Sequence, residues 1–387
     1  MNHYWANIKR FLSQEKSILS IYLLAMLVIS IQHYFNNRYN NFSIFRASIG
    51  HLLEHKNLYL EYPNEYGDLF LYHPTFPILF APFSWMPVWL GMCCWTMFSA
   101  YIVFLSVKLL PISHKQKVFV WWFIFIELTT ALHNMQTNPL IAAFIVLTFV
   151  HLEKANPIQT GFSSALGFFI KGYGGISAAL FPFYPEKFGK NVISYIFAFV
   201  FFSILPGFVV GFDQLPRLYQ EWQTLLIEDH KVNYGMSLIG LIYTLITTSI
   251  PVIYIQLFGV ICLGIFLAYC FFIVKENTLS LRVAILANLL IWVIVFNHAA
   301  ESSTHIISVF GVAFWYLITP KNGLSKALLI FVLVLTILSP TDIVPKFINR
   351  NYIIPYNLKA LPIVLVWLHL QYIVFTQKYQ SLHEQNH

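Results

Sequence analysis

The chain has 387 residues, of which 58% are hydrophobic and 10% charged, with a formal net charge of +7. So little charge over so long an apolar chain excludes one water-soluble core, which would carry roughly a quarter charged residues, and makes the bilayer the expected solvent. In a soluble protein the surplus of positive charge would point to an acidic partner; here it is expected at the cytoplasmic ends of membrane helices, and nothing marks a nucleic-acid surface.

Taken in chain order, residues 1–16 are polar and amphipathic, and the apolar run 17–35 that follows has no small-residue cleavage site, so a retained first span is expected. Residues 36–73 form a long polar loop that opens with an amphipathic helix from about Asn40 to Glu54. Residues 75–86 are hemmed by Pro74, Pro77, Pro82 and Pro87 and read as a half-length helix. Apolar runs at 88–110, 118–132, 138–152, 160–172, 174–185 and 191–211 come next, then a polar stretch at 212–250 ending in a second half-length helix, 236–250. The last runs are 251–274, 281–296, 303–318, 325–338 and 361–375, with a polar loop at 339–359. Since about 20 helical residues cross a hydrocarbon core, the reading is an all-α integral membrane protein of about twelve spans, one polytopic domain over residues 1–387.

Charge supports leaving the half-length helices out of the span count. With both termini cytoplasmic, fourteen Lys and Arg residues against five Asp and Glu residues lie inside, and nine against ten lie outside, with Glu127 in a span. The long loops and the turns 133–138 and 298–305 then share the outer side, so chemistry is expected there. The inner connections are short, and there is no Gly-rich phosphate loop or dinucleotide fingerprint, so no nucleotide cofactor is expected. Cys93, Cys94, Cys262 and Cys270 all sit in apolar stretches and read as small buried hydrophobes.

Several polar residues are candidates for a site. Glu61, Glu65 and Asp68 cluster with tyrosines in the first outer loop; carboxylates there can take a proton from a sugar hydroxyl while aromatic faces hold the ring, although the same acids suit a solvated loop. Glu127 lies within a span, where an ionised group costs at least ~2.5 kcal/mol, so a partner or a wet cavity is expected around it. Lys171 interrupts an apolar run just before Gly172-Tyr173-Gly174-Gly175, where it either meets an anion such as a lipid phosphate or snorkels to the headgroups. The 133–138 turn offers Gln136 and Asn138 as partners for sugar hydroxyls or as helix caps. His298, Glu301 and His305 have helical spacing but no HExxH order, so they read as polar site lining, with no metal expected. Arg217, Lys231 and Arg350 are outer cations that fit ordinary surface charge or a phosphate headgroup.

The order of these features resembles glycosyltransferase family 87, polyprenyl-phosphate-sugar-dependent membrane enzymes of the C-type superfamily. The resemblance rests on the outer-loop helix followed by Leu58-Tyr59, on Tyr72-His73-Pro74-Thr75-Phe76 leading to Phe80-Ala81-Pro82-Phe83, on Gln136-Thr137-Asn138, and on Ile170-Lys171-Gly172-Tyr173-Gly174. It implies a C-type glycosyltransferase-like bundle in the plasma (inner) membrane. Its activity would be transfer of a hexose or pentose, mannose-like, from a polyprenyl-phosphate donor to a glycolipid or glycan acceptor outside the cytoplasm. It further implies an outer-loop carboxylate as base, Lys171 as donor-phosphate contact, and Gln136 and Asn138 as sugar or acceptor contacts; Asn41, Tyr72, His73, His298 and Glu301 are expected beside them as substrate-binding residues. Family members usually begin the outer-loop helix with Asp, where this chain has Asn40 or Asn41; an amide cannot take a proton, which leaves Asp68, Glu65 and Glu61 for that role. The competing reading is a multi-span transporter or flippase of a lipid-linked saccharide, which would predict pseudo-symmetric repeats that the sequence does not display.

Overall fold

A computed structural model describes residues 2–229 and 234–382, with no β-strand among them. The helices are α1 (Asn2–Ser13), α2 (Glu15–Phe35), α3 (Asn40–Leu53), α4 (Phe76–Ser84), α5 (Val88–Lys108), α6 (His114–His133), α7 (Asn138–Glu153), α8 (Pro157–Ile170) and α9 (Phe188–Ile204). They continue as α10 (Gly207–Val210), α11 (Leu215–Asp229), α12 (Leu238–Leu245), α13 (Val252–Phe272), α14 (Leu279–Val295), α15 (His305–Ile318), α16 (Gly323–Phe331), α17 (Lys346–Ile348) and α18 (Leu361–Phe375). Among the described residues five helical stretches are long and apolar enough to cross a bilayer: Glu15–Phe35, Val88–Lys108, Pro185–Val210, Val252–Phe272 and Leu358–Phe375. Asn138–Glu153, Leu279–Val295, Ser302–Ile318 and Gly323–Leu338 are shorter apolar helices. The two segments expected at half length form α4 and α12, of nine and eight residues.

The bundle has two chemically distinct ends. At one, Lys108 pairs with Glu15 at 3.1 Å, and Arg282 forks onto Glu153 through Nε at 2.6 Å and Nη2 at 3.0 Å while the Tyr184 hydroxyl donates to the same carboxylate. Both termini come to this end: the Ser13 carbonyl accepts from His114, and the Leu382 amide donates to Ser280. At the other end α6 and α14 finish and α7 and α15 begin, so the 133–138 and 297–304 turns lie side by side. Helices α14 and α15 form the dry centre, with Gly311 so close to α14 that a Cβ there would lie 2.8 Å from the Ala287 carbonyl. By contrast, α2, α9 and α13 present exposed apolar side chains such as Ile193, Phe197, Phe258 and Ile261, as lipid-facing helices do.

The loop between α2 and α4 folds down onto the bundle. Phe42, Phe45, Ile49 and Leu52 recur at helical spacing along α3 and are buried. Phe45 meets Tyr72 edge-on at 4.9 Å and Phe76 at 5.1 Å, and Tyr72 stacks on Phe76 at 4.7 Å. Such aromatic pairs add about 0.5–1.5 kcal/mol each beyond area burial, which holds the Tyr72-His73 segment in place.

The runs at 160–172 and 174–185 become two short limbs of a hairpin, α8 and a 3₁₀ stretch, Gly172–Phe183, with Lys171 at the apex in extended conformation (φ −143°, ψ 129°). Fourteen α-helical residues rise only about 21 Å. The apex comes to the start of α7, where the Tyr173 hydroxyl meets Asn138, and the far end of the 3₁₀ limb comes to the end of α7, where the Tyr184 hydroxyl meets Glu153. The limbs touch through glycine: a Cβ on Gly174 would lie 2.2 Å from the Gly167 carbonyl oxygen, and backbone cannot yield as a side-chain tip does. Gly174→Ala is therefore expected to destabilise the protein by about 1–3 kcal/mol, the usual cost of overpacking. The measurement is the midpoint of heat-induced unfolding in detergent, and an unchanged midpoint would remove this contact as a determinant of the hairpin.

Candidate active site

A half-open cavity of about 220 Å³ lies at the end opposite the ion pairs just described, lined by Leu71, His73, Ile170, Lys171, Gly172, Tyr173, Trp222, Leu226, Asn297, His298, Ala299 and Glu301. Four parts of the chain distant in sequence meet here: the run into α4, the α8 hairpin apex, α11, and the α14–α15 turn.

Lys171 is put here by the glycines that stop α8; its Nζ lies 5.2 Å from the centre of the Tyr72 ring, within cation–π range. Tyr72 is buried, which pushes its phenol well above the ordinary value, and its hydroxyl donates to Gln136 Oε1 at 3.3 Å. Gln136 Nε2 in turn donates to Glu301 Oε2 at 3.3 Å, and Ser303 Oγ donates to the same oxygen at 3.3 Å. A continuous polar chain thus runs from the ring beneath the cation to the carboxylate. The network fixes the amide of Gln136, since its oxygen faces a phenol and its nitrogen a carboxylate. Next to it the Tyr173 hydroxyl donates to Asn138 Oδ1 at 2.9 Å, while Asn138 Nδ2 is buried without a protein partner.

His73 is enclosed by Phe169, Tyr219 and Trp222 at ring distances of 4.5, 5.5 and 4.6 Å. Burial pushes its pKa down to about 3, and Nδ1 accepts from the Thr75 amide at 3.1 Å. At neutral pH the ring is uncharged, with its proton on Nε2, where it is a hydrogen-bond donor. As pH falls from the ordinary histidine value of 6.5 toward about 3, the unfolded chain gains a proton that folded His73 refuses. Stability present above that window is therefore expected to be lost through it. His73→Gln should flatten this part of the pH profile of thermal unfolding, and an unaltered slope would place the loss in other groups.

The remaining candidates separate. The Glu65 carboxylate accepts from His51 Nε2 at 2.9 Å, Asp68 Oδ1 caps the Leu69 amide at 2.8 Å, and Glu61 is exposed; all three lie at this end of the bundle but outside the cavity lining. The Asn40 side-chain oxygen takes the Gly67 amide at 2.8 Å, and Asn41 Nδ2 donates to the Asn134 carbonyl at 2.7 Å, so both amides brace loops. His298 Nδ1 accepts from Gln256 at 3.3 Å, while His305 donates to the Met236 carbonyl at 2.9 Å, directing the two rings to different partners. Among the described residues no group of three or more His, Cys, Asp or Glu gathers as metal ligands. Arg217 pairs with Glu221 at 2.9 Å; Lys231 lies outside the described residues.

Sequence reading passed over Lys359, which is 1% exposed and donates to Glu127 Oε1 at 2.7 Å. The signal available was Glu127 itself: a carboxylate in a span calls for a cation, and Lys359 stands at the start of the last apolar run.

The model of glycosyltransferase family 87 matches residues 70–296, more than half of the chain. The chain belongs to glycosyltransferase family 87. The match takes in Tyr72, His73, Gln136, Asn138 and Lys171 and stops just before His298 and Glu301, so much of the cavity wall of this membrane glycosyltransferase lies within it. No curated protein is a significant match to the chain. As a family 87 glycosyltransferase the protein uses a sugar donor and an acceptor, and the cavity brings together a cation, a carboxylate, and neutral donors and acceptors.

Proposed function

We propose that this family 87 enzyme moves a hexose or pentose, mannose-like, from a polyprenyl-phosphate donor to a glycolipid or glycan acceptor at the non-cytoplasmic face of the plasma membrane, with both termini cytoplasmic. The reading is carried by one observation, the cavity in which Lys171 and Glu301 face the same space with Tyr72 and Gln136 linking them.

Lys171 binds the donor phosphate, stabilising the charge that grows as the bond from the sugar C1 to the phosphate oxygen breaks. The acceptor hydroxyl oxygen forms the new bond to C1, and its proton passes to the Glu301 carboxylate as general base. Glu301 takes this part because it is the carboxylate on the cavity wall, whereas Glu61, Glu65 and Asp68 lie outside the lining. Neutral His73 and the side chains of His298 and Asn138 hold sugar hydroxyls, and Asn41 acts through the turn it braces. The lipid-facing helices admit a polyprenyl tail sideways from the membrane, which fits the lack of a nucleotide-binding loop. Orientation follows from charge: the lysine-rich end belongs in the cytoplasm, and the cavity lies at the opposite end.

The test is transfer by purified protein in nanodiscs, with radiolabelled polyprenyl-phosphate mannose, glucose and pentose offered separately beside a lipid extract of the native membrane. Label is expected in a new glycolipid or glycan from one donor. Transfer only from nucleotide sugars offered in parallel, or absence of transfer together with movement of the intact labelled lipid across the bilayer of sealed proteoliposomes, would overturn the proposal.

A further inference from the structure

We infer that Lys359, with Glu127 as its counter-charge, is a positioning residue that sets the pose of Glu301; this rests on the assignment of Glu301 as base. Lys359 Nζ donates to Glu127 Oε1 at 2.7 Å, to the Ser302 carbonyl at 2.7 Å and to Ser302 Oγ at 2.9 Å. An ammonium has three hydrogens, and all three are engaged. Two of the three contacts fall on the residue directly after Glu301. The third falls on α6, the helix that runs into the turn bearing Gln136, the amide that holds Glu301 Oε2. Both partners of the Gln136–Glu301 contact are thereby referred to one helix through one buried cation.

The surroundings show that this cation cannot wander. Lys359 is 1% exposed and Glu127 0%, and the Lys359 carbonyl accepts from Thr336 Oγ1 at 2.8 Å. The turn is held on its far side as well, where the Gly235 and Met236 amides donate to the His298 and Ala300 carbonyls, each at 2.6 Å. Within the turn, the Glu301 amide donates to Thr304 Oγ1 at 3.0 Å. Remove the Lys359 contacts and the Ser302 side of the turn loses its anchor while the Ala300 side keeps its own, so the peptide between them, Glu301, is the part free to tilt.

Stability alone gives no reason for such a pair. Burying two charges costs several kcal/mol in desolvation, and replacing a buried ion pair by apolar residues of similar size is often neutral or stabilising. A pair whose purpose is structural would therefore be replaceable; one that positions a base would not.

The experiment uses the full-length protein in nanodiscs. The variants are the apolar double replacement Lys359→Met with Glu127→Leu, the single Lys359→Arg, and Glu301→Gln as the control for the underlying assignment. The readouts are thermal unfolding, hydrogen exchange across residues 297–304, and kcat and KM with radiolabelled polyprenyl-phosphate mannose. The double variant is expected to unfold within a few degrees of the parent, to exchange faster in 297–304, and to lose about 10- to 100-fold in kcat with donor KM changed less than about threefold, the scale on which small misplacement of a reacting group acts. Lys359→Arg should recover part of kcat. A folded double variant with parental kcat, while Glu301→Gln is inactive, would overturn this inference and leave the base assignment standing. An active Glu301→Gln would overturn the assignment itself. Should the double variant fail to fold, Lys359→Arg decides: parental exchange in 297–304 joined to a lowered kcat counts against positioning, and faster exchange joined to a lowered kcat supports it.

Discussion

Lys171→Ala is expected to lower kcat/KM for a polyprenyl-phosphate sugar by about 10²–10³-fold, the range seen when one fixed group that stabilises developing charge is removed. The lysine lies at the apex of a hairpin with its ammonium 5.2 Å from the Tyr72 ring centre, so its position is set by backbone and by a buried aromatic. Removing the ammonium leaves that scaffold in place, and thermal unfolding should shift little. Lys171→Arg keeps the charge but spreads it over a planar fork, and an intermediate rate is expected. The measurement is initial transfer rate over a range of donor concentration in nanodiscs, with unfolding followed in parallel. A fully active alanine variant would place the donor phosphate elsewhere.

Glu301→Gln should have the other large effect, a loss of about 10²–10⁴-fold in kcat, because the amide keeps the size and the hydrogen-bonding reach of the side chain but cannot accept the acceptor's proton. Gln136 and Ser303 both donate to Oε2 at 3.3 Å, and either can still donate to the amide oxygen, so folding should be preserved. The comparison that gives the result its meaning is with Glu65→Gln and Asp68→Asn. Glu65 is tied to His51 and Asp68 to its neighbour's amide, both outside the cavity lining, and each variant is expected to stay within about threefold of the parent. The reverse order, with Glu301→Gln active and Asp68→Asn dead, would return the base to the loop between α2 and α4.

The contrast between Lys171 and Lys359 shows what could be read in advance. Lys171 interrupts an apolar run beside a cluster of glycines, and both features are local, so its cost and its place at a break in the helix follow from neighbours in the chain. Lys359 stands at the edge of a polar loop, where a lysine needs no explanation. Its burial appears only when the short 3₁₀ turn Leu358–Ala360, just before α18, comes against α6 and brings Glu127 within 2.7 Å across 232 positions of sequence. The carboxylates follow the same division. Glu61, Glu65 and Asp68 drew notice by clustering in sequence, whereas Glu301 is a single acid in a short turn whose importance comes from Gln136, 165 positions earlier.

The family signal was legible for a related reason. Tyr72-His73-Pro74, Gln136-Thr137-Asn138 and Ile170-Lys171-Gly172 all fall within the matched residues 70–296, and each is a short local arrangement that turns or breaks a helix. The span count was harder. Runs at 160–172 and 174–185 are apolar enough to suggest two crossings, and composition does not disclose that Gly167 and Gly174 meet backbone to backbone, pairing the two runs as limbs of one hairpin.

By itself, the sequence determined the solvent, the helical class, the half-length helices at their prolines and polar loops, and the family. These follow from composition and from patterns within a few turns of helix, where the bilayer's demand for apolar length and satisfied backbone leaves few choices. The tertiary structure alone decided which acid lines the cavity with Lys171, which amide hydrogen-bonds that acid and which buried lysine donates to its turn. Those contacts join segments far apart in sequence, 165 positions for Gln136 and Glu301 and 57 for Ser302 and Lys359, and their partners are selected by how the helices pack, since a bundle of uniformly apolar surfaces carries no linear code for which polar side chains will meet.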